Sequence, residues 1–267
     1  MTIQDIEKSI QKGLQRAYYS FASSSDLGNF RSKVIEYLFT AFIFKELVGS
    51  AKPRKFAISL EYPARFFYEN AFNIFPFGPR AAKNELERTP PPPPEDFKSP
   101  ENGRIDIVIT KMLTTVHHKR KNRFIERSIA GIEVKGINPK SDLLLADYNR
   151  LAFCLLSEYR QNDENSIAGC FIGYVKKIGG EKRITSKKKV KKELEGLAAK
   201  QASIFIKSKY YSRLENKIEV FDIYSYDEEE YKDQTPGEYW EYGDAASETG
   251  AIFGITVKLQ RKNNLNP

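Results

Sequence analysis

Two short, mostly apolar runs rich in β-branched residues each carry one carboxylate: RIDIVI (104–109) holds Asp106, and IAGIEVKG (129–136) holds Glu133 with Lys135 two positions on. Runs of this kind read as strands with dry neighbours, where an unpaired carboxylate is expensive. Each acid therefore needs a cation, a set of hydrogen bonds, or water at a strand end. Side chains alternate between the faces of a strand, so Glu133 and Lys135 project together while Val134 points away into whatever packs behind.

The elements around these strands predict an α/β fold. Ile3, Ile6, Ile10 and Leu14 recur at spacings of three and four, and Thr2 with Asp5 resembles a capping box, so the chain starts with an amphipathic helix that FASSSDLGNF (21–30) breaks. A second helix is expected over 30–49, where Val34, Ile35, Leu38, Phe39, Phe42, Ile43 and Leu47 cover most of the circumference and Glu36 lies beside Ile43 and Leu47. KFAISLEYP (55–63) reads as a strand stopped by Pro63. The stretch 64–103, aromatic at first and then proline-rich, reads as an insertion or stiff loop of polyproline II character.

GRIDIVITKM (103–112) and RSIAGIEVKG (127–136) are the next strands, joined by the basic HHKRKNRF. Ser141 or Asp142 then caps a helix marked by Leu144, Tyr148, Leu151, Leu155 and Tyr159. SIAGCFIGYV (166–175) reads as a buried strand, 186–206 as a basic helix, and KIEVFDIYSY (217–226) and GAIFGITVKL (250–259) as the last strands. Together they describe a mixed central β-sheet flanked by helices, in a single domain over 1–267 whose first 25 residues form a helical extension.

Composition narrows the chemistry. The net charge of +8 comes from 43 Lys and Arg against 35 Asp and Glu, so the surface is mixed with local basic patches, which favours a polyanionic partner. Cys154 and Cys170 have no metal or disulfide spacing, which points to a reducing interior. The only histidines are His117 and His118, so a histidine zinc site or a Ser-His-Asp triad has almost no material. No signal-peptide stretch and no run of the ~20 apolar residues a membrane span needs is present, so a cytoplasmic protein without membrane contact is expected.

If the two acid-bearing strands pair as a hairpin, Asp106 and Glu133 converge at one sheet edge, where a hard divalent cation would offset both charges. With the backbone carbonyl of Val134 they can hold Mg²⁺, or Mn²⁺ in its place, and leave positions for water and a phosphate oxygen. Lys135 beside them suits orienting that water or neutralising the oxyanion, a task for a flexible point charge. The chemistry that fits is metal-assisted hydrolysis of a phosphodiester.

GRIDIVI, followed 27 residues after its acid by IEVKG, resembles the PD-(D/E)XK, or restriction-endonuclease-like, nuclease superfamily, with Ile105 standing where the family has proline. The resemblance spans roughly residues 27 to 175, including a preceding helix with an acid and the following helix SDLLLADYNRLAFCLLSEY. It implies a restriction-endonuclease-like core and a Mg²⁺-dependent endonuclease acting on DNA, in restriction or defence against foreign DNA. It also implies a further acid on the first helix of the core. Glu36 matches that acid, and Glu61, closing the strand FAISLEYP, competes for the role. Asp147 is placed to orient Lys135 or to pair with Arg150. The bland readings are a strand-end salt-bridge cluster for Asp106, Glu133 and Lys135, a surface Glu36 beside Lys33 or Thr40, and a solvated Asp147.

Lys119, Arg120, Lys121 and Arg123 in one basic run, and Lys187, Lys188 and Lys189 in another, are the expected contacts to DNA phosphates. The aromatic stretch 64–77 suits core or lid packing, or base stacking. The acidic segment 226–244, with Trp240, opposes nucleic acid electrostatically and reads as a contact surface or a solvated loop. Cutting both strands of a duplex requires two sites, which makes a homodimer an expectation. The alternatives are a non-catalytic nucleic-acid-binding module of the same fold, or the same site acting on RNA or branched DNA.

Overall fold

The structure, a computed structural model, describes residues 1–22, 32–51, 55–71, 103–113, 125–156, 166–178, 192–196, 199–200, 213–224 and 251–262. Its elements are α1 (Ile3–Ala22), α2 (Ser32–Ser50), β1 (Phe56–Pro63), α3 (Ala64–Ala71), β2 (Arg104–Leu113), β3 (Ile125–Ile137), α4 (Ser141–Leu156), β4 (Gly169–Ile178), β5 (Leu214–Tyr224) and β6 (Ala251–Arg261). The six strands form one mixed sheet in the order β1-β2-β3-β4-β6-β5. Among the described residues only β3 and β4 run parallel; the other four pairings are antiparallel. A parallel pair cannot be joined by a tight turn, and α4 supplies the crossover between these two strands.

Strand alternation sorts the apolar side chains into two cores. On one face Ile107, Ile109, Ile132, Val134 and Phe171 meet Ile6, Ile10 and Leu14 of α1 and Phe39, Ile43 and Leu47 of α2, all fully buried. On the other face Val108, Cys170 and Ile172 meet Phe67 and Tyr68 of α3 and Leu144, Tyr148, Leu151 and Leu155 of α4. Helices thus cover both faces, as the sequence predicts, and the two cysteines are buried and not joined in a disulfide.

Two elements differ from expectation. Residues 64–71 form a helix rather than the start of a loop, because Ala64, Phe67, Tyr68 and Ala71 fall at spacings of three, one and three and bury one apolar stripe. The remainder of the insertion, with its proline run, lies outside the described residues. The N-terminal helix is also more than an extension. Thr2 and Asp5 close its capping box (Thr2 N to Asp5 Oδ2 2.6 Å, Asp5 N to Thr2 Oγ1 3.1 Å), and its stripe forms half of one helical layer. Of the basic helix expected over 186–206, residues 192–196 and 199–200 are described and helical, with Leu194 in the core.

The crossing of α1 and α2 depends on one glycine. A Cβ on Gly13 would stand 2.5 Å from the Cα and 2.7 Å from the backbone N of Ile43, so the two helices meet there main chain to main chain. Gly13→Ala is expected to cost about 1–3 kcal/mol in overpacking, against the ~1 kcal/mol that alanine contributes as a better helix former. The variant should unfold at lower denaturant than wild type; an equal or higher midpoint contradicts so close a crossing.

A candidate active site where two strands part

After a register shift between Ile109 and Thr110, β2 and β3 stay paired until Ile107 faces Ile132, and the ladder ends there. Asp106 and Glu133 are the next residues on the two strands, so continuing the register sets them opposite each other and on one side of the sheet. The sequence reading placed this convergence at a sheet edge. Both strands are interior, however, and the meeting point is at their ends.

Asp106 Oδ2 accepts a hydrogen bond from Val134 N at 2.6 Å, in place of a strand partner for that amide. In an extended strand the N–H and C=O of one residue face the same neighbour, so the Val134 carbonyl is directed to the same side. The flank formed by β1 is irregular too. Glu61, between the paired Leu60 and Tyr62, has φ of 51°, a left-handed conformation that glutamate rarely adopts. Backbone held in this region tends to gather at functional sites.

Helices on opposite faces of the sheet complete the cluster. From α2, Glu36 Oε1 reaches Lys135 Nζ at 3.3 Å. From α4, Asp147 Oδ2 meets the same ammonium at 3.1 Å, while Arg150 Nη1 lies 2.5 Å from Glu133 Oε1 and 3.5 Å from Asp147 Oδ1. Arg150 Nη1 also donates to the carbonyl of Arg104 at 3.1 Å. A Cβ on Gly103 would stand 2.6 Å from Arg150 Nε, so this glycine makes room for the guanidinium. Side-chain exposure rises from 1% at Glu133 through 13% at Lys135 to 34% at Glu36, so the cluster opens to solvent on the α2 side.

Four carboxyl groups, of Glu36, Asp106, Glu133 and Asp147, thus act on two cations, Lys135 and Arg150, so with all four ionised the acids exceed the cations by two charges. Burial, with Asp147 and Asp106 adding to it, pushes the Glu133 carboxyl well above its usual range despite Arg150 and Lys135. Burial raises Glu36 and Asp147 as well, against the pull of Lys135. For Lys135 burial works the other way, but Asp147, Glu36, Asp106 and Glu133 outweigh it and hold the ammonium above its ordinary value.

The donor set fits one hard dication. Asp106, Glu133 and the Val134 carbonyl are all oxygen donors, and the uncompensated charge matches the charge such an ion carries. Among the described residues no three His, Cys, Asp or Glu side chains are grouped to hold a metal.

These shifts fix the sign of a pH dependence. Metal-free folded protein retains protons on Glu133, Glu36 and Asp147 that the unfolded chain loses near pH ~4. Their contribution to stability is therefore present below that pH and is lost as pH rises through the raised values. In EDTA the melting temperature is expected to fall from pH 5 to pH 8, and less steeply in Glu133→Gln; equal slopes for the two proteins contradict this.

Of the residues singled out in the sequence, Glu36, Asp106, Glu133 and Lys135 come together, and Asp147 is buried between Lys135 and Arg150 rather than solvated. Glu61 does not join them. It is exposed and faces Arg104 at 4.0 Å. Arg150 is the group whose role the sequence does not reveal: its spacing points to Asp147, not to Glu133. Its signal was its position three residues after Asp147, which sets both on one helix face. Lys119, Arg120, Lys121, Arg123, Lys187, Lys188, Lys189 and the segment 226–244 lie outside the described residues. No helix among the described residues is long and apolar enough to cross a membrane. Comparison with protein-family models, with curated proteins and with solved structures gives no match.

Proposed function

We propose that the chain is a Mg²⁺-dependent endonuclease that hydrolyses DNA phosphodiester bonds, with a restriction-endonuclease-like core and a role in restriction or defence against foreign DNA. The observation that carries this reading is the meeting of Asp106, Glu133 and Lys135 where β2 and β3 part, with more negative charge than the protein's own cations neutralise. The order of antiparallel β2 and β3, crossover α4 and parallel β4 supports the same family.

In the reaction a water oxygen bonds to phosphorus as one P–O ester bond breaks, and the departing oxygen takes up a proton. Asp106, Glu133 and the Val134 carbonyl would hold Mg²⁺, or Mn²⁺ in its place, which when bound supplies Lewis acidity at the phosphate and lowers the pKa of water. Lys135 stays an ammonium at neutral pH, so it acts by donating hydrogen bonds to the water or the phosphoryl oxygens and does not serve as the general base. Glu36 and Asp147 fix its position from opposite layers. In the metal-free protein Arg150 pairs the buried Glu133 carboxylate, a contact that a bound ion would replace. A homodimer would bring two such sites to the two strands of a duplex.

Supercoiled plasmid incubated with protein should be nicked in Mg²⁺ and left intact in EDTA, and Glu133→Ala should abolish the nicking. The competing reading is a non-catalytic nucleic-acid-binding module whose cluster is a structural ion-pair network, and it draws on the pairing of Lys135 and Arg150 with three of the four acids. Binding without cleavage in Mg²⁺ and Mn²⁺ would select that reading. Parallel incubations with single-stranded RNA and a branched duplex identify the substrate class.

A further inference from the structure

The outward side of the α1–α2 pair carries a groove of about 500 Å³ on the far side of α2 from Glu36. It is lined by polar residues and one glycine. Lys8, Lys12 and Arg16 follow one another at intervals of four along α1, and Lys45 faces them from α2. The close crossing at Gly13 and Ile43 holds the two helices at the spacing that puts these cations in one groove, and Ser9 and Ser50 bridge its floor at 3.2 Å between hydroxyl oxygens. Two acids share the groove: Asp5 accepts from Thr2 N and lies within the field of Lys8, and Glu46 pairs with Arg16, so the groove keeps a surplus of two positive charges. Lys8, Lys12 and Lys45 are exposed and make no ion pair among the described residues.

We propose that this groove is a second nucleic-acid site, which holds the phosphodiester backbone of a strand and reads no base. The row from Lys8 to Arg16 rises about 12 Å along α1, the reach of several nucleotides at ~3.4 Å each. The lining includes no aromatic side chain to stack a base, as a mononucleotide site would, and no large hydrophobic side chain to insert into a lipid surface. Glu36 and Lys45 are nine residues apart on α2, two and a half turns, so the groove faces away from the acidic cluster. It therefore holds a stretch of nucleic acid other than the one at the cluster. The choice of nucleic acid as the ligand rests on the activity proposed above.

The test is binding of a 40-base-pair duplex labelled with a fluorophore, followed by anisotropy in EDTA across a salt series, so that cleavage plays no part. The triple variant Lys8→Glu, Lys12→Glu, Lys45→Glu should bind at least about tenfold more weakly at moderate salt, and the slope of log K against log salt should shrink by about 2–3, near 0.9 per lost phosphate contact. A charge-matched control, Lys55→Glu, Lys217→Glu, Lys262→Glu, should lose far less, and the milder Lys→Gln groove triple should fall between the two with an unchanged melting temperature. Equal losses in groove and control variants, or none in either, overturn the site. If wild type nicks plasmid while the groove triple binds like wild type, the groove fails and the nuclease reading stands; if wild type neither binds nor nicks, both fail.

Discussion

Replacing Glu133 by glutamine is expected to lower Mg²⁺-dependent nicking by about 10³-fold, the scale of losing a group that stabilises charge in the transition state, without lowering the stability of the metal-free protein. The two halves of this expectation come from one fact. Glu133 is buried at 1% exposure beside two other carboxylates, and one arginine contact is its close cation pairing. An isosteric amide removes a charge that burial disfavours and retains a hydrogen bond to Arg150, so folding without metal gains or stays level. A cluster kept for stability behaves in the opposite way: breaking its ion pair would lower the melting temperature. Nicking kinetics on supercoiled plasmid, with melting curves in EDTA, separate the two. Retained activity in a destabilised variant refutes the catalytic assignment.

Arg150→Ala is expected to have the largest effect on stability, a loss of about 3–5 kcal/mol in EDTA, since removing one partner leaves a buried charge uncompensated. The guanidinium contacts Glu133 and Asp147 and bonds the Arg104 carbonyl, so its loss leaves three negative charges uncompensated in place of two. Added Mg²⁺ should restore more stability to this variant than it adds to wild type, because the ion takes over part of the lost compensation. Denaturant midpoints of both proteins with EDTA and with Mg²⁺ give the comparison. An equal Mg²⁺ gain in the two proteins contradicts a shared charge deficit.

Strands bearing the acids were legible because uninterrupted β-branched runs leave little alternative, and the 27-residue interval placed their charges on adjacent strands. The choice between Glu36 and Glu61 was not legible, as each is an acid near the end of an element. Tertiary placement decides it: α2 lays Glu36 against Lys135, whereas the left-handed turn at Glu61 directs that residue to the surface beside Arg104. Arg150 could be assigned to Glu133 only once α4 was known to cross the face from which Glu133 projects. Helix α3 was hidden because the proline-rich half of its segment coloured the reading of the whole. The α1–α2 groove is not legible in the sequence for a different reason. Its lysines are scattered singly through two helices and converge only where Gly13 lets those helices touch.

Anomalous scattering from Mn²⁺ soaked into crystals of the protein tests the central claim most directly. The expected result is a single strong peak within coordinating distance of both the Asp106 and Glu133 carboxylates, with Arg150 turned away from Glu133. No peak between these two side chains at saturating Mn²⁺, with the Arg150–Glu133 contact intact, would contradict it.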